Sequence, residues 1–231
     1  MNIVIVNGSP RRKGNTAVLC QAFEDGVKSI SPESRILNVN LNDYNYKGCQ
    51  SCFSCKSKTG NSYGFCAFND DITPLLKYAT EADCLVIASP IYLMDVSAST
   101  KAFLERLCFP LGSYEKGYKS LAPKQSKVVT IYTMNAIEEH SPLQAMDTID
   151  MFLGHIFTSP KRICAYNTYQ FHDYSKYIVD VFDEHEKAVY RDKHWQYVVA
   201  QVYCLAMEYA MNGSIHISES RPDSKDNSSH V

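Results

Sequence analysis

The chain has no large surplus of either charge. Lys and Arg total 23 against 25 Asp and Glu, a net charge of −2, and the sequence pI is about 6.4. A protein that coats a nucleic-acid backbone or an anionic membrane needs a strong basic excess, so neither partner is expected. Long apolar runs are missing too: none approaches the roughly 20 residues that cross a bilayer. Met1 to Val6 lacks the basic flank and cleavage site of a signal peptide and runs straight into a Gly turn, so it reads as a buried strand. Without an export signal, the nine cysteines are expected in a reducing cytosol, where a cluster of them points to metal or redox chemistry rather than a disulfide framework. No Ser/His/Asp or Cys/His arrangement suggests itself. His140, His172, His185 and His194 read as surface or helix residues with no assigned role.

What is present is ordinary globular usage. Hydrophobic residues are 45% and charged residues 21% of 231, enough for one α/β domain with added segments. Asn2 to Asn7 is an apolar, β-rich run, and Thr16 to Val27 has helical spacing. Arg35 to Leu41 alternates as a second strand. Lys47 to Phe68 has neither period and reads as a loop. Asp70 and Asp71 are expected to open a helix, because acids favour the positive end of its dipole. Cys84 to Ser89 is a continuous apolar run, as in a strand covered on both faces. A helix follows over Ser97 to Cys108, a strand over Lys127 to Thr133, a helix over Leu143 to Ile156 and a strand over Arg162 to Tyr166. Tyr174 to Met211 keeps helical spacing, with a break expected near Arg191-Asp192. The expected domain is 1–213, and 214–231 reads as a disordered polar tail.

Alternating strands and helices predict an open parallel sheet with helices on both faces. With the order 2-1-3-4-5, a ligand sits beyond the carboxyl ends of the strands, where the order reverses between the first and third. The loops starting at Gly8, Ser89 and Thr133 are therefore the candidates. The first reads Asn7-Gly8-Ser9-Pro10-Arg11-Arg12-Lys13-Gly14-Asn15-Thr16 and leads to a helix N-terminus, where free amides and the dipole favour an anion. It is neither a P-loop nor the dinucleotide fingerprint, since Gly14 is followed by Asn15-Thr16 and no G-x-G-x-x-G occurs there. Arg11 can fork onto phosphate oxygens. In the second loop, Pro90 stiffens the exit and Tyr92 offers a stacking plane. In the third, Thr133 and Asn135 could bond a ring edge.

The N-G-S-P-R-x-x-x-N-T segment after the first strand resembles the NAD(P)H-dependent FMN reductases of the flavodoxin superfamily, particularly their iron–sulfur flavoprotein branch. The likeness runs through the second and third loops and covers most of Met1 to about Tyr166. It implies a flavodoxin-like three-layer α/β sandwich built on a five-stranded parallel sheet. It further implies that Ser9, Arg11, Asn15 and Thr16 hold the FMN phosphate and that Pro90, Ile91, Tyr92, Leu93 and Met94 contact the isoalloxazine. Family members often have an aromatic residue and Gly where Leu93 and Met94 stand. Pairing of subunits into a dimer or tetramer is also expected, because FMN sites in this family are commonly finished by a neighbouring chain.

Cys49, Cys52 and Cys55 form C-x2-C-x2-C, and Cys66 could complete a 4Fe–4S cluster. The spacing also suits zinc or reactive thiols, and all three readings stay open. The family's branch places its fourth Cys only a few residues after the third, whereas ten residues separate Cys55 from Cys66 here. The remaining cysteines, Cys20, Cys84, Cys108, Cys164 and Cys204, lie in helical or strand patterns and read as core. The expected activity is FMN-dependent oxidation of NAD(P)H, with electrons passed to a small-molecule or protein acceptor. The basic Arg11-Arg12-Lys13 loop favours this over a flavodoxin-type electron carrier, and over a relative that has lost its flavin.

Overall fold

The computed structural model describes residues 1–218, with side chains through 212. Parallel strands β1 (Asn2–Asn7), β2 (Arg35–Asn40), β3 (Cys84–Tyr92), β5 (Lys127–Thr133) and β6 (Lys161–Ala165) pair in the order β2-β1-β3-β5-β6. A two-residue strand, β4 (Asp95–Val96), pairs antiparallel to the end of β3. The five parallel strands thus follow the expected order, and β4 is an unforeseen sixth. β1 and β3 are buried on both faces because they lie in the middle of the sheet, which explains their unbroken apolar runs.

The helices cover both faces. α1 (Asn15–Ile30) and α5 (Glu184–Ser218) pack on one side, where Leu19, Phe23 and Val27 meet Ile3, Ile5, Val86 and Val202. α2 (Thr73–Glu81), α3 (Ala98–Leu111) and α4 (Leu143–Ile156) cover the other, around Val6, Leu85, Phe103 and Leu153. α1 and α5 approach closely at Gly26: a Cβ there would stand 2.5 Å from the Tyr203 carbonyl oxygen.

Two expectations are corrected. Asp70 and Asp71 do not open α2, which starts at Thr73 with Pro74 in its first turn; Asp70 is instead drawn to the guanidinium of Arg106. The last helical stretch begins at Glu184 rather than Tyr174, and its backbone passes Arg191-Asp192 without a break. The expected tail from residue 214 begins inside this helix, whose backbone runs to Ser218; residues 219–231 lie outside the described ones. Among the described residues, no helix is long and apolar enough to cross a membrane.

Candidate active site

The first loop is held by residues that local patterns do not flag. Asn7, at the end of β1, accepts the Ser9 N–H through Oδ1 (2.9 Å), and the Ser9 hydroxyl accepts the Arg11 N–H (3.2 Å). Asn40, ending β2, donates to the Ser9 carbonyl at 2.8 Å. The Gly8 carbonyl accepts from Ser97 Oγ (2.8 Å) and Ser99 Oγ (3.2 Å) at the start of α3. A Cβ at Gly8 would lie 1.8 Å from the Thr100 hydroxyl, so only glycine lets the loop pass α3 this closely. No side chain caps α1 at Gly14, which leaves the amides of its first turn available to an anion.

One cleft of about 470 Å3 opens beyond the carboxyl ends of β1, β3 and β5. Ser9, Arg11, Asn15 and Thr16 line it together with Pro90, Ile91, Tyr92, Thr133 and Asn135, so all three loops converge there. The Thr133 hydroxyl is bonded to the Thr16 hydroxyl at 2.8 Å, which ties the third loop to α1. Leu93 and Met94 do not line the cleft. They form the two-residue turn between β3 and β4, with φ of 48° and 62°, and Leu93 is fully exposed. Positive φ at both positions matches the twist of a tight hairpin, and that turn points both side chains outward.

A fourth segment, absent from the sequence-based site, closes the cleft. Thr168, Tyr169, Gln170, Phe171 and His172, after β6, line its wall with Arg191 of α5. Arg11 Nη1 donates to the Gln170 carbonyl (2.6 Å) and Asn15 Nδ2 to the Tyr169 carbonyl (3.0 Å). Thr168 N–H donates to the Met134 carbonyl and Asn167 N–H to that of Ala136, both at 2.9 Å. The rule that selected the other loops, the carboxyl end of a parallel strand, also applies to β6 and could have found it.

The cleft is electrically one-sided. Arg11, Lys13 and Arg191 line it and, among the described residues, no carboxylate does. Arg12 is turned away, donating through Nη1 to Asp43 at 3.0 Å. Asn135 Oδ1 is buried without a hydrogen-bond partner. An uncommitted acceptor of this kind costs stability unless a donor meets it. The cations of this cleft and the free amides of α1 fit the phosphate of FMN.

The cysteine loop fits its expected occupant less well. Cys49, Cys52, Cys55 and Cys66 border one hollow of about 20 Å3, little more than the space a single water needs. Cys49 and Cys52 are exposed and Cys55 is buried. Burial pushes the Cys55 thiol up, while hydrogen bonds from the Ser54 amide and hydroxyl draw that of Cys52 down. Cys66 Sγ accepts the Nε–H of Arg106 at 3.2 Å. The Arg106 side chain is fully buried and is also bound to Asp70 (2.5 Å) and the Phe68 carbonyl (2.6 Å). Lys56 pins the loop from below, donating to the Phe109 (2.6 Å) and Pro110 (3.0 Å) carbonyls at the end of α3. Among the described residues, no three Cys, His, Asp or Glu are placed to share a metal. As folded, the four thiols are not gathered closely enough to hold a cubane or a zinc ion.

A parallel sheet in the order β2-β1-β3-β5-β6 with a cationic cleft at its switch point is the architecture of mononucleotide-binding α/β folds. The chain belongs to the NADPH-dependent FMN reductase family, whose model matches residues 1–160. It is an FMN-dependent NAD(P)H oxidoreductase. Among curated proteins it is 32% identical over 155 residues to an iron-sulfur flavoprotein of Archaeoglobus fulgidus, covering 67% of this chain and 69% of that one. It is 31% identical over 106 residues to an iron-sulfur flavoprotein of Methanocaldococcus jannaschii, covering 46% of this chain and 51% of the other. Among solved structures, an NAD(P)H:quinone oxidoreductase from Methanothermobacter marburgensis superposes with a TM-score of 0.61 at 13% identity, over 93% of this chain and 97% of that one. An FMN-dependent NADH-azoreductase from Bacillus anthracis, solved with FMN, gives 0.59 at 15% identity, over 93% and 100%. At such identities these two likenesses establish the fold alone.

Proposed function

We propose that the cleft binds FMN with its phosphate against Ser9, Arg11, Asn15, Thr16 and the first amides of α1, and its ring between the Pro90–Tyr92 segment and Asn135. The observation that carries this is the convergence of the loops on one cleft with cations only at its charged positions and one unsatisfied buried acceptor. Bound FMN supplies the hydride and single-electron chemistry, and the protein binds, orients and shields it. Pro90 and Ile91 cover one side, Tyr92 presents a partly exposed ring at the mouth, and the Thr168–His172 wall keeps water from the phosphate side. The other substrates are NAD(P)H and a small-molecule or protein electron acceptor that reaches the ring through this mouth.

We read residues 1–213 as one FMN-binding unit and the chain as a homo-oligomer, dimer or tetramer, in a reducing cytosol. The apolar hairpin tip of Leu93 and Met94 beside the cleft supports self-association, since an exposed apolar pair on a strained turn gains by being covered. Nine unpaired cysteines suit a reducing compartment. Anaerobic reduction tests the activity: NADPH or NADH is expected to bleach the flavin of the FMN-loaded protein, and failure of both would refute the enzyme reading. Iron and sulfide assays on the same preparation are expected to find flavin without stoichiometric iron. A full complement of cluster iron would mean that the four thiols gather around a cluster in the loaded protein.

A further inference from the structure

The cleft holds more positive charge than one mononucleotide uses. A phosphomonoester carries about −1.5 to −2 at neutral pH, and Arg11 and Lys13 stand on the phosphate loop itself. Arg191 stands on the opposite wall, its guanidinium over the Tyr169 ring at 4.5 Å from the centroid. Among the described residues its one carboxylate contact is its sequence neighbour Asp192, at 3.1 Å on the exposed surface, and such a contact contributes little.

Arg191 also borders a second cavity, of about 410 Å3, which shares Asn15, Thr168 and Tyr169 with the first. One face of α5 builds its far side through Tyr190, His194, Trp195 and Val198, residues spaced to project together from a helix. Tyr190 and His194 stack with centroids 4.2 Å apart and planes 28° from parallel. Trp195, the chain's single tryptophan, is half-buried there. Glu138 adds an acceptor to the rim. The volume is in the range of small-molecule sites, and aromatic planes beside several polar side chains suit a flat heterocycle with hydrogen-bonding edges.

We propose that this second cavity takes the adenosine half of NAD(P)H, with Arg191 meeting the pyrophosphate that joins the two halves; this rests on the FMN reading of the first cleft. The nicotinamide half must reach the flavin, so the adenosine half needs a platform nearby, and the shared wall with a cation on it supplies one. Glu138 can accept from the adenine amino group.

The test compares NADH and NADPH with reduced nicotinamide mononucleotide, which lacks adenosine, on the FMN-loaded full chain. Trp195→Ala and Arg191→Gln are each expected to raise the dinucleotide KM by about tenfold, the scale of one lost base-stacking or charged contact. The advantage of dinucleotide over mononucleotide should collapse with it. An equal rise for both donors, or none for the dinucleotides, overturns the proposal. Should a variant fail to fold, the parent protein still decides: ADP-ribose is expected to quench the single tryptophan saturably, and absence of quenching overturns the assignment. If neither the dinucleotides nor the mononucleotide bleaches the flavin, the enzyme reading fails instead.

Discussion

Replacing Arg11 by Ala separates the phosphate contact from every other contact with the cofactor. Arg11 is exposed and spends one N–H on the Gln170 carbonyl at 2.6 Å, leaving the remaining donors of its fork for a phosphate. Hydrogen bonds to charged groups contribute about 1.5–3 kcal/mol. Exposure and salt screening put Arg11 at the lower end of that range. At about 1.4 kcal/mol per factor of ten, the Kd for FMN should rise about tenfold. Riboflavin has the same ring and ribityl chain without the phosphate, so its affinity should stay where it was. Fluorescence-quenching titrations with both ligands at low and high salt measure this, and the penalty for FMN should shrink as salt rises. An equal loss for both ligands would refute the phosphate placement, as would an unchanged FMN affinity.

Other expectations follow from single contacts. Asn135→Ala removes a buried acceptor that lacks a partner, so the ligand-free protein should hold its stability or gain up to about 1 kcal/mol. FMN and riboflavin should weaken alike in that variant; titration that finds only FMN affected would place the phosphate there instead. Arg106→Leu strands Asp70, whose side chain is only 14% exposed, and should cost about 3–5 kcal/mol in urea denaturation. Adding Asp70→Asn should recover part of it, and strictly additive losses would argue against a coupled pair. Partial burial would raise the Asp83 carboxyl, but the Lys124 ammonium and the Asn2 N–H (2.6 Å) outweigh it and hold the pKa below its ordinary value. A carboxyl depressed by folding stabilises fully above its unfolded pKa of about 3.9 and loses that contribution as pH falls through the folded value. Asp83→Asn should therefore lower Tm at neutral pH and flatten the acid limb below about pH 4. A parallel shift at all pH values would mean the carboxyl is not the acid-labile group.

Several parts of the molecule could be read without coordinates. β5 and α4 have the bounds their patterns indicate, and β1 is recognisable because a strand buried on both faces must be apolar throughout. The loop after β1 is likewise legible, since a glycine turn between strand and helix leaves amides for an anion wherever it occurs. The hairpin at Leu93-Met94 was not, because these residues have no intrinsic preference for positive φ and β3 imposes it by pairing with β4. Asp70 looked like a helix opener for a sound local reason, yet a buried guanidinium from a distant helix attracts it more strongly. The same guanidinium donates to Cys66, a partner that the cysteine spacing does not indicate.

The order of apolar and polar residues by itself determined the strand and helix sequence, and with it the parallel sheet and the end of it where a ligand belongs. These follow from periodicity, which neighbouring residues express on their own. Only the folded chain decided that residues 168–172 and Arg191 wall the cleft, that Asn135 lines it, and that Arg106 donates to Cys66. Each depends on segments far apart in sequence meeting in space, and no local pattern records which partner a side chain will find there.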